Sequence, residues 1–263
     1  MSKIKFWKYQ ANGNDFVIVD NREDELQLSN EQIQKICDRH FGIGADGFIF
    51  VNSSDKADFE MLYYNSDGQI SSMCGNGGRC IAMFAYLHEI SGEQMEFKAF
   101  DGFHNAIIED RMSHNLCDVS LSMADVDEVH KSKLFYFLDT GSPHYVEFVE
   151  QVAELDVVSE GRKTRHSERF MPDGTNVNFV EIRDERLFVR TYERGVEDET
   201  LSCGTGVTAS AIAAYFVTGK NSQIVHTTGG EFIVDFKPHP GDRFTDVWLR
   251  GPAELVFEGE IEI

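Results

Sequence analysis

Two cysteines stand at equivalent points of a repeated motif, Cys74 in MCGNG at 73–77 and Cys203 in SCGTG at 202–206, each just before a Gly-X-Gly turn that opens a helical pattern. A helix start presents backbone N–H groups and a partial positive charge, which favour a thiolate and also bind carboxylates. Glycine lets the backbone come close to a ligand. Two such starts facing one cleft would grip an α-carboxylate with amides from both sides and set one sulfur on each face of the α-carbon. A proton removed from one face and one delivered to the other inverts that centre. One sulfur must begin as thiolate and the other as thiol, so the pair is expected to titrate as a coupled system. The charge that develops on the carboxylate needs preorganised donors and exclusion of water. No Walker loop occurs, no dinucleotide fingerprint follows a strand, and no lysine is marked as a pyridoxal phosphate anchor. Two-thiol chemistry needs no cofactor.

The elements that position these cysteines are duplicated. Placing Cys74 on Cys203 also pairs Gly75 with Gly204, Gly77 with Gly206, Ala82 with Ala211, Ala85 with Ala214 and Tyr86 with Tyr215. A one-residue shift then pairs Gly102 with Gly230, Asp118 with Asp246, Val119 with Val247 and Leu121 with Leu249. NDFVIV at 14–19 echoes NVNFVEI at 176–182 more weakly. Strand-like alternation covers 16–20, 46–52, 57–65, 133–138, 186–192 and 231–236. Helical periodicity covers 30–41, with Ile33, Ile36, Cys37 and Phe41 on one stripe, then 77–91 and 205–218. The expected fold is α+β, two pseudo-symmetric halves, each a mostly antiparallel, barrel-like sheet wrapped around a central helix. The expected division is 1–123 and 124–263, with the last strand, about 252–263, packing back onto the first half.

A length of 263 residues suits two domains of this kind. The net charge of −21 repels polyphosphate backbones and anionic membranes, so neither nucleic acid nor membrane is an expected partner. No apolar run approaches the ~20 residues of a membrane helix. The opening MSKIKFWKYQ lacks the apolar core of a secretory signal, which points to the cytoplasm. Five cysteines, an odd number, at 37, 74, 80, 117 and 203 are expected to be free thiols.

Seven segments in order resemble the diaminopimelate epimerase family along nearly the whole chain: GNDFVIVD at 13–20, RHFGIGADG at 39–47, YNSDG at 64–68, MCGNGGRC at 73–80, GTNVNFV at 174–180, YERGVEDET at 192–200 and SCGTGVTA at 202–209. The resemblance implies interconversion of LL- and meso-diaminopimelate, Cys74 and Cys203 as the catalytic acid/base pair, and no metal or cofactor. It implies that backbone N–H groups of Gly75, Asn76, Gly204 and Thr205 hold the reacting carboxylate, and that Asn14, Asn65, Asn176, Glu193 and Arg194 contact substrate. Such a substrate carries an amino-acid group at each end. Arg194 can take a carboxylate bidentately, while Glu193 and the asparagine carbonyls can accept from ammonium groups. His144, in TGSPH at 140–144, matches a histidine expected to orient or assist a cysteine. A homodimer is the expected assembly. The chain departs from the family pattern at Ser142, where asparagine is common, and at Gly47, where some members carry glutamine.

Simpler roles account for other residues. Cys37, on a helical stripe, Cys117, in the alternating CDVSLSM, and Cys80 are expected to be core thiols. A zinc site from Cys74, Cys80, Cys203 and His144 lacks the tight paired spacing of structural zinc motifs. Relatives of the fold that act on proline or hydroxyproline usually show histidine at the position of Asn76. A non-catalytic amino-acid-binding module would not need two equivalent thiols.

Overall fold

The alternating apolar residues at the start of the chain fold as two strands joined by a two-residue turn. In the computed structural model, which describes residues 3–71 and 73–262, β1 (Lys3–Ala11) and β2 (Asn14–Asp20) pair antiparallel through Asn12 and Gly13, at φ 50° and 84°. Both turn residues need the left-handed region there, which Asn and Gly tolerate best. The turn fixes Asn14 as the first residue of β2. Ile263, the final residue of the expected last strand, lies outside the described residues.

Helix α1 (Asn30–Cys37) starts with a capping box made by Ser29 and Gln32. The sequence pattern predicts that it runs to 41 with Phe41 on the buried stripe. It ends instead at Cys37, because the Asp38 carboxylate accepts the N–H groups of His40 and Phe41 and turns the chain away. Phe41 is 84 % exposed. Strands β3 (Gly47–Asn52) and β4 (Phe59–Asn65), helix α2 (Gly75–Leu87), and strands β5 (Gln94–Ala99), β6 (Gly102–Arg111) and β7 (Leu116–Ser122) follow. Helix α2 also ends before the expected residue 91: Glu89 takes a left-handed conformation at φ 56°, and the Ile90 N–H reaches back to the Ala85 carbonyl.

The chain divides into two compact units, Met1–Leu121 with Gly251–Ile263, and Ser122–Arg250. In the first, sheet neighbours run in order from β1 to β7. Residues 251–254 then pair with β7 and residues 254–262 with β1, so eight strands close on themselves. The barrel surrounds α2, buried at every residue from Gly75 to Ala85, including the polar Asn76 and Arg79 of its first turns.

The second unit contains β8 (His130–Lys131), β9 (Tyr136–Asp139), β10 (Pro143–Phe148), α3 (Val157–Arg165), β11 (Asn176–Arg183), β12 (Arg186–Glu193), β13 (Asp198–Thr200), α4 (Gly204–Thr218), β14 (Ser222–Thr227), β15 (Gly230–His239) and the start of β16 (Arg243–Glu262). Its sheet runs β16-β15-β14-β12-β11-β10-β9-β8, with β13 added to β12 and Val126 bridging back to Phe244 of β16. Helix α4 buries Val207, Ala209 and Ala211 to Ala214 against Val180, Val189, Phe232, Phe244 and Leu249.

The duplication extends to the connections. Most neighbours are antiparallel, but β2 pairs parallel with β3 and β4 with β5 in the first unit, and β10 with β11 and β12 with β14 in the second. Parallel neighbours need a crossover, and each of the four is a helix: α1, α2, α3 and α4 in turn. Helix α3, for which the sequence reading had no counterpart, is therefore the equivalent of α1, and α2 the equivalent of α4.

Candidate active site

In the first unit Cys74 is the N-cap of α2, with extended backbone and its carbonyl accepting from the Gly78 N–H at 2.7 Å. Its thiol makes no capping bond. The sulfur lies 3.5 Å from Asn14 Oδ1, which also accepts from Asn76 Nδ2 at 3.2 Å. Asn14 Nδ2 donates to Asp46 Oδ2 at 2.8 Å, so the carboxylate fixes which end of the amide faces the sulfur. Asp46 is held by Arg39 at 2.7 Å, and Arg39 makes two further bonds to Asp15 at 2.7 and 3.0 Å. Burial raises the Asp15 carboxyl, but bonds from Arg39 and from Lys8, at 2.7 Å, outweigh it and hold the group well below the usual carboxylate range. Asn76 is fixed in turn by Arg79 Nη2, which donates to its Oδ1 at 2.9 Å and to Asn12 Oδ1 at 2.8 Å. Arg79 is fully buried, and that burial brings its guanidinium down to about 10, still charged at neutral pH.

In the second unit Cys203 is the N-cap of α4, its carbonyl accepting from the Val207 N–H at 2.8 Å and its thiol likewise unused in capping. Thr205 Oγ1 lies 3.4 Å from the sulfur. The Thr205 carbonyl accepts from Thr140 Oγ1 at 2.9 Å, which ties the first turn of α4 to the end of β9. His144, on β10, places Nε2 2.9 Å from Thr205 Oγ1 and 3.0 Å from Ser142 Oγ, while Nδ1 faces Asn178 Nδ2 at 3.0 Å. Burial, then the positive charge of Arg194, pushes His144 down to about 3, so its imidazole is neutral. Asn176 opens β11 and donates to Ser142 Oγ at 3.2 Å and to the Pro143 carbonyl at 3.1 Å; its own oxygen accepts the Arg194 N–H at 2.8 Å. Glu193, at the end of β12, accepts from Thr200 Oγ1 at 2.8 Å, and the Arg194 guanidinium touches the Asp173 carbonyl at 3.4 Å.

Two clusters thus gather most of the residues singled out in the sequence: Cys74, Asn14 and Asn76 in one unit, and Cys203, Thr205, His144, Asn176 and the Arg194 backbone in the other. Asn65 stands apart, exposed at the end of β4 opposite Gly47. Gly47 has a packing reason, since a Cβ there would lie 2.5 Å from the Tyr63 ring. Ser142, the other departure from the family pattern, joins Asn176, His144 and Thr205 through its hydroxyl.

Sequence reasoning passed over Asn178 and Arg79. Asn178 follows Asn176 by two residues in a strand and so shares its face, and Arg79 lies one helical turn after Asn76. Those spacings were the available signals. All five cysteines are free thiols. Burial pushes Cys37 up to about 12 and also raises Cys80 and Cys117, so these three are core groups rather than nucleophiles. Among the described residues no group of three or more His, Cys, Asp or Glu is gathered to hold a metal ion, and no helix is long and apolar enough to cross a membrane.

Comparison with known proteins places this geometry in context. The model of the family described as diaminopimelate epimerase matches residues 6–116 and 136–256. A diaminopimelate epimerase of Flavobacterium psychrophilum is 47 % identical over 98 % of this chain and 100 % of its own, and one of Chlorobaculum tepidum is 40 % identical over 95 % and 98 %. Among solved structures, a PhzF-family phenazine biosynthesis protein of Bacillus anthracis superposes with a TM-score of 0.77 at 16 % identity over the whole of both chains. A hydroxyproline epimerase of Agrobacterium vitis gives 0.70 at 14 % identity over 98 % of this chain and 92 % of that one. At those identities the likeness is one of fold.

Proposed function

This chain belongs to the diaminopimelate epimerase family, and from that premise we propose that it interconverts LL- and meso-diaminopimelate without a cofactor, using Cys74 and Cys203 as its acid and base. The observation that carries this reading is the repeated N-cap: in each unit a cysteine precedes the first turn of the central helix with its thiol uncommitted to capping. A thiolate takes the α-proton from one face of the carbon, and the other thiol delivers its proton to the opposite face. The α-carboxylate lies against the backbone N–H groups of Gly75 and Asn76 from one motif and of Gly204 and Thr205 from the other, where helix-end amides stabilise the charge that develops as the proton leaves. Asn14, Asn65, Asn176, Glu193 and Arg194 bind the rest of the substrate, with Arg194 taking the distal carboxylate. His144 orients Cys203 through Thr205.

The product feeds lysine and peptidoglycan precursor synthesis, and the working form is a cytoplasmic homodimer. The test is solvent exchange. Reduced, purified protein in deuterated water should incorporate deuterium at the α-carbon of diaminopimelate with nothing else added. Exchange into proline but not diaminopimelate, or into neither, overturns the proposal.

A further inference from the structure

Two arginines of the second unit share one carbonyl. Arg165, the last residue of α3, donates from Nη1 to the Asp173 oxygen at 3.3 Å, and Arg194 donates to the same oxygen at 3.4 Å. Gly174 makes room for the first: it takes φ 69°, and a Cβ there would lie 1.2 Å from Arg165 Nη1. The two differ in what balances their charge. Arg165 Nε donates to Glu197 Oε1 at 3.2 Å, while Arg194 makes no ion pair among the described residues.

Glu197 ends the loop, residues 194–197, that joins β12 to β13. Its N–H donates to the Glu193 carbonyl at 2.8 Å, its Oε1 accepts the Gly195 N–H at 3.1 Å, and its Oε2 accepts the Tyr192 hydroxyl at 3.1 Å, with His166 Nε2 at 3.3 Å. Burial raises the Glu197 carboxyl, but the Gly195 amide, Tyr192 and Arg165 outweigh it and hold the group below the usual carboxylate range. Its backbone sits at φ 60°, in the left-handed region where glycine is the least strained residue. A side chain kept in that conformation has its use in its carboxylate, which ties the Gly195 amide and the Tyr192 hydroxyl to the end of α3. Arg194, between Tyr192 and Gly195 in the chain, is fixed further by its own N–H on Asn176 Oδ1 at 2.8 Å. The first unit has a matching arrangement. There Arg39, just after α1, binds the Asp46 carboxylate that fixes Asn14 at the start of β2; here Arg165, ending α3, binds the Glu197 carboxylate that fixes the loop bonded to Asn176 at the start of β11.

We infer that Glu197, braced by Arg165, is a positioning residue for substrate recognition: it neutralises one of the two arginines and fixes the loop that presents the other, Arg194, to a carboxylate of the substrate. The inference rests on the reading of Arg194 as a substrate contact given above. A carboxylate that enters near the Asp173 carbonyl meets one guanidinium already paired and one that is not, so it is drawn to Arg194.

The test takes two readouts on the full chain. In steady-state kinetics with diaminopimelate, Glu197→Ala should raise KM roughly tenfold and move kcat by less than about threefold; the same substitution made in Arg194→Ala should change KM by less than about twofold, because a residue that acts through another loses its effect when that other is gone. In the substrate-free protein, amide hydrogen exchange across residues 194–197 should quicken at least about tenfold in Glu197→Ala, as the Gly195 and Arg194 N–H groups lose their fixed partners, while the amides of β11 keep their wild-type rates. An unchanged KM, losses that multiply in the double variant, or unchanged exchange would each overturn the inference. If Glu197→Ala does not fold, Arg165→Met, which removes the brace, is scored in the same way. Faster exchange in Glu197→Ala of a protein whose wild type does not turn over diaminopimelate counts against the proposed function and not against the bracing of the loop.

Discussion

Arg79 reaches the side-chain oxygen of Asn76 at 2.9 Å, and Asn76 in turn donates to the oxygen that faces Cys74. Arg79 is buried and bridges Asn76 and Asn12 from a single nitrogen, a geometry that a flexible ammonium reproduces poorly. Arg79→Lys should lower kcat by roughly tenfold and cost about 1–3 kcal/mol of stability, the usual penalty for leaving buried acceptors unmatched. Steady-state kinetics and urea unfolding check both, and unchanged turnover would remove Arg79 from the positioning of Asn76.

The second glycine of each repeat is not equally constrained. A Cβ on Gly206 would lie 2.4 Å from Asn178 Oδ1, an atom held in place by Thr191, whereas one on Gly77 meets the flexible end of Met61 at 3.3 Å. Gly206→Ala should therefore reduce turnover strongly and Gly77→Ala only slightly. Equal effects would mean that Asn178 is free to move.

His144 makes stability depend on pH. Its folded value is depressed to about 3, against about 6.5 for an ordinary histidine. Between those values the unfolded chain binds a proton that the folded chain does not. The contribution is fully present above about pH 6.5 and is lost as pH falls toward 3, at up to about 1.4 kcal/mol per pH unit. Urea unfolding of wild type and His144→Asn at neutral and mildly acid pH measures it. The variant should show the shallower acid-side decline, and parallel curves would contradict the burial of a neutral ring.

Arg194→Lys should raise KM for diaminopimelate by roughly tenfold to a hundredfold with a smaller change in kcat, because a point charge cannot replace a planar fork on a carboxylate. An unchanged KM would take Arg194 out of the substrate contacts.

Cys80→Ala should keep turnover within about twofold at a cost of roughly 1 kcal/mol of packing, since Cys80 is fully buried in α2 and burial raises its thiol. Cys74→Ala and Cys203→Ala should each abolish epimerisation. A single-cysteine variant that turns over near the normal rate would refute the two-base scheme.

Much of this was legible in the residues because the chain states its central motif twice. The two Cys-Gly-X-Gly segments marked the starts of α2 and α4 to within a residue or two, and the alternating runs fell on β2, β3, β4, β9, β12 and β15. Helix α3 escaped because VVSEGRKTR carries almost no apolar stripe: only Val157 and Gly161 are buried, although Asp156 caps it. Its equivalence to α1 lies in connectivity, which periodicity does not register. Phe41 misled for the converse reason, an apolar residue in phase with a helix that Asp38 had already ended. At the site, residue types pointed to the cysteines, but the orientation of an asparagine amide depends on partners distant in sequence, Asp46 for Asn14 and Thr191 for Asn178. No local pattern carries that information.

Strand β16 belongs to both units in turn, its residues 243–250 pairing with β15 and its residues 251–262 completing the ring that begins at β1. During synthesis the N-terminal unit is therefore made first and finished last. Its barrel stays open, with the edges of β1 and β7 unpaired, until the whole of the second unit has emerged from the ribosome. An open edge invites pairing with other chains, so the interval before the final strand arrives is when a nascent chain is most exposed to aggregation. Removing that strand should leave a first unit with no way to close, however complete its catalytic motif.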